Sequence, residues 1–361
     1  MSTGLDNVIA AKTVMSHVDG DAGRLIVRGH ELDELADRFT FEALLSLLWD
    51  GFLDTLPEDM QSAIGSARER AFAVLKVAMP LPKSLSAIEK LRYLLSALPD
   101  SEPEQDHPLL AVASVPVFTA AVLRGLNGEA PIAPDPALGH AEDFLRMLRG
   151  EAVPSHHAKA LDTYLVTVAD HGLNASTFAA RTIASTQAGM FSSIVGGVCA
   201  LKGPLHGGAP GPVLDMLDAI GSPDAASGWL TQAVQRGDRL MGFGHRVYRV
   251  RDPRADVLKR VARSLREDEN RIKFAEQVEQ AALTVLADQK KGRVLETNVE
   301  FYTALVLEAL KLPRESFTMI FAMGRVAGWT AHVLEQLKGG RLIRPQSEYI
   351  GPMPATGVAA E

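Results

Sequence analysis

The stretch FTMIFAMGRVAGWTAHVLEQLKGG, residues 317–340, decides the fold class. Phe317, Ile320, Phe321, Gly324, Ala327 and Gly328 recur at three- and four-residue intervals and so fall towards one side of a helix, a period no strand produces. The spacing predicts a helix from near Pro313 or Ser316 to a stop at Gly339-Gly340. The same period runs through 41–49, 109–123, 144–148, 255–265, 272–286 and 299–310. Residues 176–201 read as one long buried helix, rich in small residues, that stops at Gly203-Pro204. Strand signals are confined to 12–18 and 24–28, which flank Asp19-Gly20-Asp21-Ala22-Gly23 and predict a small hairpin. Without alternating strand and helix units there is no parallel sheet to build, so the prediction is all-α with a minor β element.

The remaining arithmetic narrows the function classes. At 361 residues the chain is long enough for two domains, and 47% hydrophobic with 22% charged residues is ordinary globular composition. A single cysteine, Cys199, builds neither a disulfide framework nor a thiolate metal cluster. A net charge of −7 argues against generic nucleic-acid binding, which wants a positive field. No secretory signal is read at the start, and no window is expected to span a bilayer, the longest candidate being 190–201. A cytoplasmic protein is expected. Loops are expected at 126–139 and at 203–212, where Gly and Pro are dense and a hinge is possible.

Phosphate loops, dinucleotide fingerprints, zinc-binding His pairs and nucleophile elbows are absent from the sequence. What remains is a set of His, Arg and Glu residues in unusual settings. His206, in Gly203-Pro204-Leu205-His206-Gly207-Gly208, precedes a helix that begins near Pro210 or Pro212. A helix start disfavours positive charge, so this imidazole is either a neutral donor to an oxyanion or a residue satisfying a turn. In Met241-Gly242-Phe243-Gly244-His245-Arg246-Val247-Tyr248-Arg249-Val250-Arg251-Asp252-Pro253-Arg254, four Arg fall within nine residues. They form an anion site or a solvated basic loop. Thr297-Asn298-Val299-Glu300 reads as a capping box, with Glu300 tied back to the Thr297 amide, or as a carboxylate base at a helix start. Arg325 sits among small and apolar residues, where a guanidinium needs an anionic partner. Arg344 lies beyond the helix end and must reach any shared site by another route. Asp170-His171-Gly172-Leu173-Asn174 reads as a polar corner between helices, and the His156-His157 pair as surface.

Taken together, GPLHGG, MGFGHRVY with DPRA, NVEFY, FAMGRVAGW with AH and EQ, and RLIRP with YIGP resemble the citrate synthase family in order and spacing. The family includes the citrate and 2-methylcitrate synthases. The resemblance runs from 24–36 to Gly351-Pro352 and is dense after Asp170. It implies an all-α homodimer with a large domain, residues 1–207 and 312–361, and a small domain, residues 208–311, that closes over substrates. By the resemblance His206 polarises the thioester carbonyl of acetyl-CoA, a carboxylate at Glu300 removes a methyl proton, and His245 protonates the ketone of oxaloacetate. His171, Arg254 and Arg325 hold oxaloacetate, joined by Arg344 from the partner subunit, and Arg249 contacts the coenzyme A phosphate. No metal or redox cofactor is implied, coenzyme A entering as the thioester substrate.

Two departures from the family pattern stand out. Glu300 stands where Asp is usual, which moves the carboxylate by about 1 Å. Val168 and Gly172 replace the first His and the Glu of the HxDHE pattern, while His171 and Asn174 remain. The leading expectation is a Si-type citrate synthase. The alternatives are a 2-methylcitrate synthase using propionyl-CoA, and a weakly catalytic paralogue that binds citrate or a coenzyme A ester.

Overall fold

The computed structural model describes residues 3–5, 8–101, 106–207, 210–265, 267, 269–289 and 295–353. Three short antiparallel strands, β1 (Ser16–Asp19), β2 (Arg24–Val27) and β3 (His30–Glu31), come first. Ser16 pairs with Val27 and Asp19 with Arg24, so the predicted hairpin is present, with a shorter first strand and an added third. Helices then follow one another: α1 (Leu32–Arg38), α2 (Phe41–Trp49), α3 (Met60–Ala78), α4 (Ala87–Leu95), α5 (His107–Leu126), α6 (His140–Arg149), α7 (Ser155–Val168) and α8 (Ala175–Ala184). The series ends with α9 (Met190–Leu201), α10 (Pro210–Ile220), α11 (Pro223–Arg236), α12 (Pro253–Leu265), α13 (Glu269–Gln289), α14 (Val299–Ala309) and α15 (Phe317–Gly339). The fold is all-α with a minor sheet.

Two helices form the core. α5 is apolar on every side and packs against α3, α4, α6, α9 and α15. By length and composition it could cross a membrane, contrary to the expectation that no window would, but most of it is buried inside the protein. α15 is also buried around most of its circumference rather than along one side, contacting α5, α7, α8 and α9. Glycine makes that approach possible. A Cβ at Gly328 would stand 2.3 Å from the Ala169 carbonyl oxygen, and one at Gly324 would stand 2.5 Å from Val168. The end of α7 therefore lies against the middle of α15.

The single helix expected over 176–201 is two. α8 ends at Ala184, and the chain reverses through Gln187 and Gly189, both at positive φ. α9 then starts under the Asp100 carboxylate, which accepts the amides of Phe191 (2.7 Å) and Ser192 (3.1 Å). Composition hid the break, because small residues are equally frequent on both sides of it. α8 and α9 pack together and bring the 202–207 loop back beside the start of α8.

Candidate active site

One side of the site is built where α7, α8, α9 and α15 meet. α7 ends at Val168, and Asn174 caps α8 by accepting the amides of Ser176 and Thr177, both at 3.1 Å. The polar corner between them is as expected. Arg325, fully buried on α15, donates Nε to the Val168 carbonyl (2.8 Å), and its guanidinium lies 4.9 Å above the Phe321 ring. Its two terminal nitrogens have no hydrogen-bond partner among the described residues. Burial, with Arg254 nearby and against the pull of Asp170, lowers it to about 10, so it stays charged at neutral pH.

Two turns further along α15, His332 faces Arg181 through Nδ1 (3.0 Å) and Asp170 through Nε2 (3.2 Å). A guanidinium only donates, so Nδ1 accepts and Nε2 carries the proton given to Asp170. Burial pushes the Asp170 carboxyl up, but His332, the Ser16 hydroxyl and Arg325 outweigh it and hold it below the usual range. His171 is thereby fixed next to an anion. Burial and the fields of Arg325 and Arg254 drive its imidazole well below the ordinary value, and its Nδ1 has no partner among the described residues.

His206 reaches the same corner from the loop after α9, where its Nε2 lies 2.8 Å from Ser176 Oγ. Trp329 donates Nε1 to that hydroxyl (3.1 Å), and Asn174 Oδ1 accepts from it (2.8 Å). Ser176 has one proton and two acceptors to choose from, Asn174 Oδ1 and a bare His206 Nε2. The direction it takes selects the imidazole tautomer. Burial and Arg325 lower His206 to about 4, so it is neutral.

The opposite side is two loops stitched together by backbone. Gly244 N donates to the Glu296 carbonyl (2.7 Å) and Asn298 N to the Gly242 carbonyl (2.9 Å). Asn298 Nδ2 adds a bond to the Gly244 carbonyl (2.8 Å). Gly242 and Gly244 both sit at positive φ, and a Cβ at Gly242 would lie 2.9 Å from Phe301, so the 242–245 turn depends on glycine. His245 Nδ1 accepts the amides of Val247 and Tyr248 (3.1 Å each), which leaves the proton on Nε2 and makes the 3.4 Å approach of Arg254 NH2 to that nitrogen a donor-to-donor contact rather than a hydrogen bond. Burial and Arg254 lower it to about 4. Arg254 is gripped by Asp252 through Nε (3.0 Å) and NH2 (2.8 Å), and the same carboxylate accepts the Val299 amide (3.2 Å) at the start of α14.

Glu300 follows at the first turn of α14. The helix is capped by Asn298, whose Oδ1 accepts the Glu300 amide (3.0 Å), and not by Thr297. Thr297 donates its hydroxyl to Glu279 (2.7 Å). The capping-box alternative is therefore absent, and the Glu300 carboxylate has no hydrogen-bond partner among the described residues. Burial pushes it up to about 7, with Arg254 and Arg325 pulling down and Asp252 pushing up. His171 and His245 face each other at 6.4 Å between ring centroids. The cluster thus holds three neutral imidazoles, two buried guanidiniums and one carboxyl poised near neutrality. That set can remove a proton, donate protons to developing oxyanions and bind a carboxylate substrate.

Comparison with known proteins now bears on this cluster. The family model described as citrate synthase, C-terminal domain, matches residues 4–346. The chain belongs to the citrate synthase family. It is 37% identical to the citrate synthase of Haloferax volcanii over 97% of this chain and 96% of that protein. It is 35% identical to the 2-methylcitrate synthase of Mycobacterium tuberculosis over 96% and 90% of the two chains. A ternary complex of Thermoplasma acidophilum citrate synthase with carboxymethyl coenzyme A and oxaloacetate has the same fold (TM-score 0.88, 27% identity, 99% of this chain and 98% of that one).

As a citrate synthase family enzyme the chain brings together six of the eight residues singled out in its sequence: His171, His206, His245, Arg254, Glu300 and Arg325. Arg249 stands apart, exposed and paired with Asp21 (3.1 Å) at the tip of the β1–β2 loop. Arg344 is also apart, exposed in the extended segment after α15. It lines a groove of about 640 Å³ with Lys12, Phe178, Arg181 and Arg341, and none of the six clustered residues lines it. Sequence reasoning missed Ser176 and Trp329, which hold His206, Asp252, which holds Arg254, and Tyr164, whose buried hydroxyl has no partner among the described residues and is pushed up by burial and by Glu300. Trp329 and His332 lay inside quoted motifs, whereas Tyr164 gave no local signal. The His156-His157 pair is only half surface. His157 is buried, bonded to Arg149 (3.1 Å) and Glu267 (2.8 Å), because α7 turns it towards the α12–α13 connection.

Proposed function

We propose that this site condenses acetyl-CoA with oxaloacetate and water, releasing citrate and coenzyme A. The observation that carries the reading is Arg325. A buried guanidinium with both terminal nitrogens open, beside Arg254 and His171, is an unfilled fork for a carboxylate. Glu300, ionised above about pH 7, takes a proton from the acyl methyl group. With the Ser176 hydroxyl turned to Nε2, His206 presents Nδ1–H to the thioester oxygen and stabilises the enol that forms. The enol carbon bonds to the ketone carbon of oxaloacetate while His245 gives its Nε2 proton to the ketone oxygen. Water then hydrolyses the citryl thioester. Coenzyme A enters as substrate, and these steps call on no further cofactor.

Propionyl-CoA is the second thioester to consider, because one methylene in an apolar pocket is worth only about 1–3 kcal/mol. The similarity to a 2-methylcitrate synthase supports including it. In this reading residues 208–311 close as a small domain over residues 1–207 and 312–361. A cytoplasmic homodimer, with Arg344 reaching the partner's site, accounts for its exposure here. Arg249, once released from Asp21, meets the coenzyme A phosphate.

The test is release of free coenzyme A thiol from oxaloacetate with acetyl-CoA or propionyl-CoA. Turnover with either establishes condensation, and the ratio of kcat/KM assigns the acyl chain. Oxaloacetate binding without thiol release from either thioester would reduce the site to a recognition module.

A further inference from the structure

Glu279 belongs to none of the motifs quoted above and lies on α13, outside the catalytic cluster. It is nevertheless buried, and its carboxylate accepts four donors from four other segments. They are Tyr302 Oη (2.6 Å), Thr297 Oγ1 (2.7 Å), Arg251 NH1 (2.8 Å) and Lys259 Nζ (3.0 Å). The sequence positions of these donors matter. Thr297 and Tyr302 bracket Glu300, three residues before it and two after. Arg251 immediately precedes Asp252, the residue that grips Arg254 and accepts the Val299 amide.

We infer that Glu279 is a positioning residue: it locks the start of α14 to the 251–254 loop and so keeps the base Glu300 in register with the substrate-binding Arg254. The inference deepens the proposed function and rests on it. The geometry requires an anion at this place. A glutamine would offer one acceptor oxygen to four donors and would turn an N–H towards at least one of them. The start of α14 would then loosen, and Glu300, half-buried and pushed up first by burial, would meet more water. Arg254, Asp252, Arg325 and the Tyr164 hydroxyl, whose fields couple to Glu300, would all remain.

The experiment compares wild type, Glu279→Gln and Tyr302→Phe in the thiol-release assay across pH, with thermal melting alongside. Glu279→Gln is expected to lower kcat about 10-fold or more, since a displacement near 1 Å suffices for that. It is also expected to move the midpoint of the acid limb down by about half a unit or more as Glu300 hydrates. Tyr302→Phe removes one arm, and the same two changes should follow at smaller size; it serves as the working variant if Glu279→Gln does not fold. A variant that melts earlier but keeps the wild-type kcat and midpoint would show a purely structural role and overturn the inference. Wild type that releases no thiol overturns the proposed function and the inference with it, so the two failures are distinguishable.

Discussion

The two buried arginines of the cluster sit close enough to feel each other's charge, yet they are held in opposite ways. Arg254 comes from a loop and is neutralised at once by Asp252 in a two-toothed pair, with both side chains almost fully buried. Arg325 comes from a core helix and among the described residues is touched by a backbone carbonyl and an aromatic face, with the Asp170 charge acting from further off. The difference runs through both sides of the site. The α7–α15 corner is rigid because helices are packed across glycine, and it keeps open valences at Arg325 and His171. The 242–254 and 297–300 loops are held by polar groups that satisfy one another, and among the described residues the Glu300 carboxylate and the buried Tyr248 hydroxyl are left without a partner. A ligand anion therefore meets, in Arg325, a guanidinium whose terminal nitrogens are unfilled among the described residues.

The sharpest way to break that comparison is to remove each arginine in turn. Arg254→Met leaves Asp252 buried without its counter-ion, which costs about 3–5 kcal/mol of stability. Thermal or denaturant unfolding should show that loss, with activity falling alongside. Arg325→Met removes a charge that nothing in the free protein neutralises by direct contact. Its stability should rise by about 1 kcal/mol or stay level, while the affinity for oxaloacetate, measured by calorimetry, falls by about 100-fold through the lost charge-assisted bonds. Opposite signs in unfolding would sharpen the contrast between a structural ion pair and a substrate fork. Equal destabilisation would show that Arg325 is already neutralised internally and would remove the main support for the proposed function.

How much of this was legible in the sequence follows the same division. Helices announce themselves by period, so α2, α5, α12, α13, α14 and α15 were located from residues alone, and the motifs named six residues that do cluster. The break at 185–189 was not legible, because it is made by a long-range cap from Asp100, and no local signal marks a partner 90 residues away. The choice between capping box and free carboxylate at Thr297–Glu300 was not legible for a similar reason. Its pattern is correct, but Glu279 on another helix claims the Thr297 hydroxyl and Asn298 takes over the cap. Tyr164 and Asp252 became visible only when the fold placed them beside charges. Local chemistry is written in the sequence, and the choice among local alternatives is made by tertiary partners.

Glu300 provides the finest test of the comparison, because its carboxylate is open on the side where most polar groups are paired. A base must be ionised to act, so turnover should be low where Glu300 holds its proton and should rise with pH to a plateau above about 7. His206 and His245, both near 4, and His171, driven well below its ordinary value, do not titrate in that window, so among the clustered groups the limb belongs to Glu300. Glu300→Asp withdraws the carboxylate by about 1 Å, a change worth up to about 100-fold in kcat where nothing compensates. If the loops around residue 300 are set for the longer side chain, kcat falls and the limb shifts only slightly, because Arg254, Asp252 and Arg325 still surround the group. A rise in kcat would mean that the saturated side tolerates repositioning and that its rigidity is not tuned to Glu300. A limb left in place after Glu300→Gln would assign the proton removal to another residue, and the Tyr164 hydroxyl, buried and unpartnered beside Glu300, would be the first to examine.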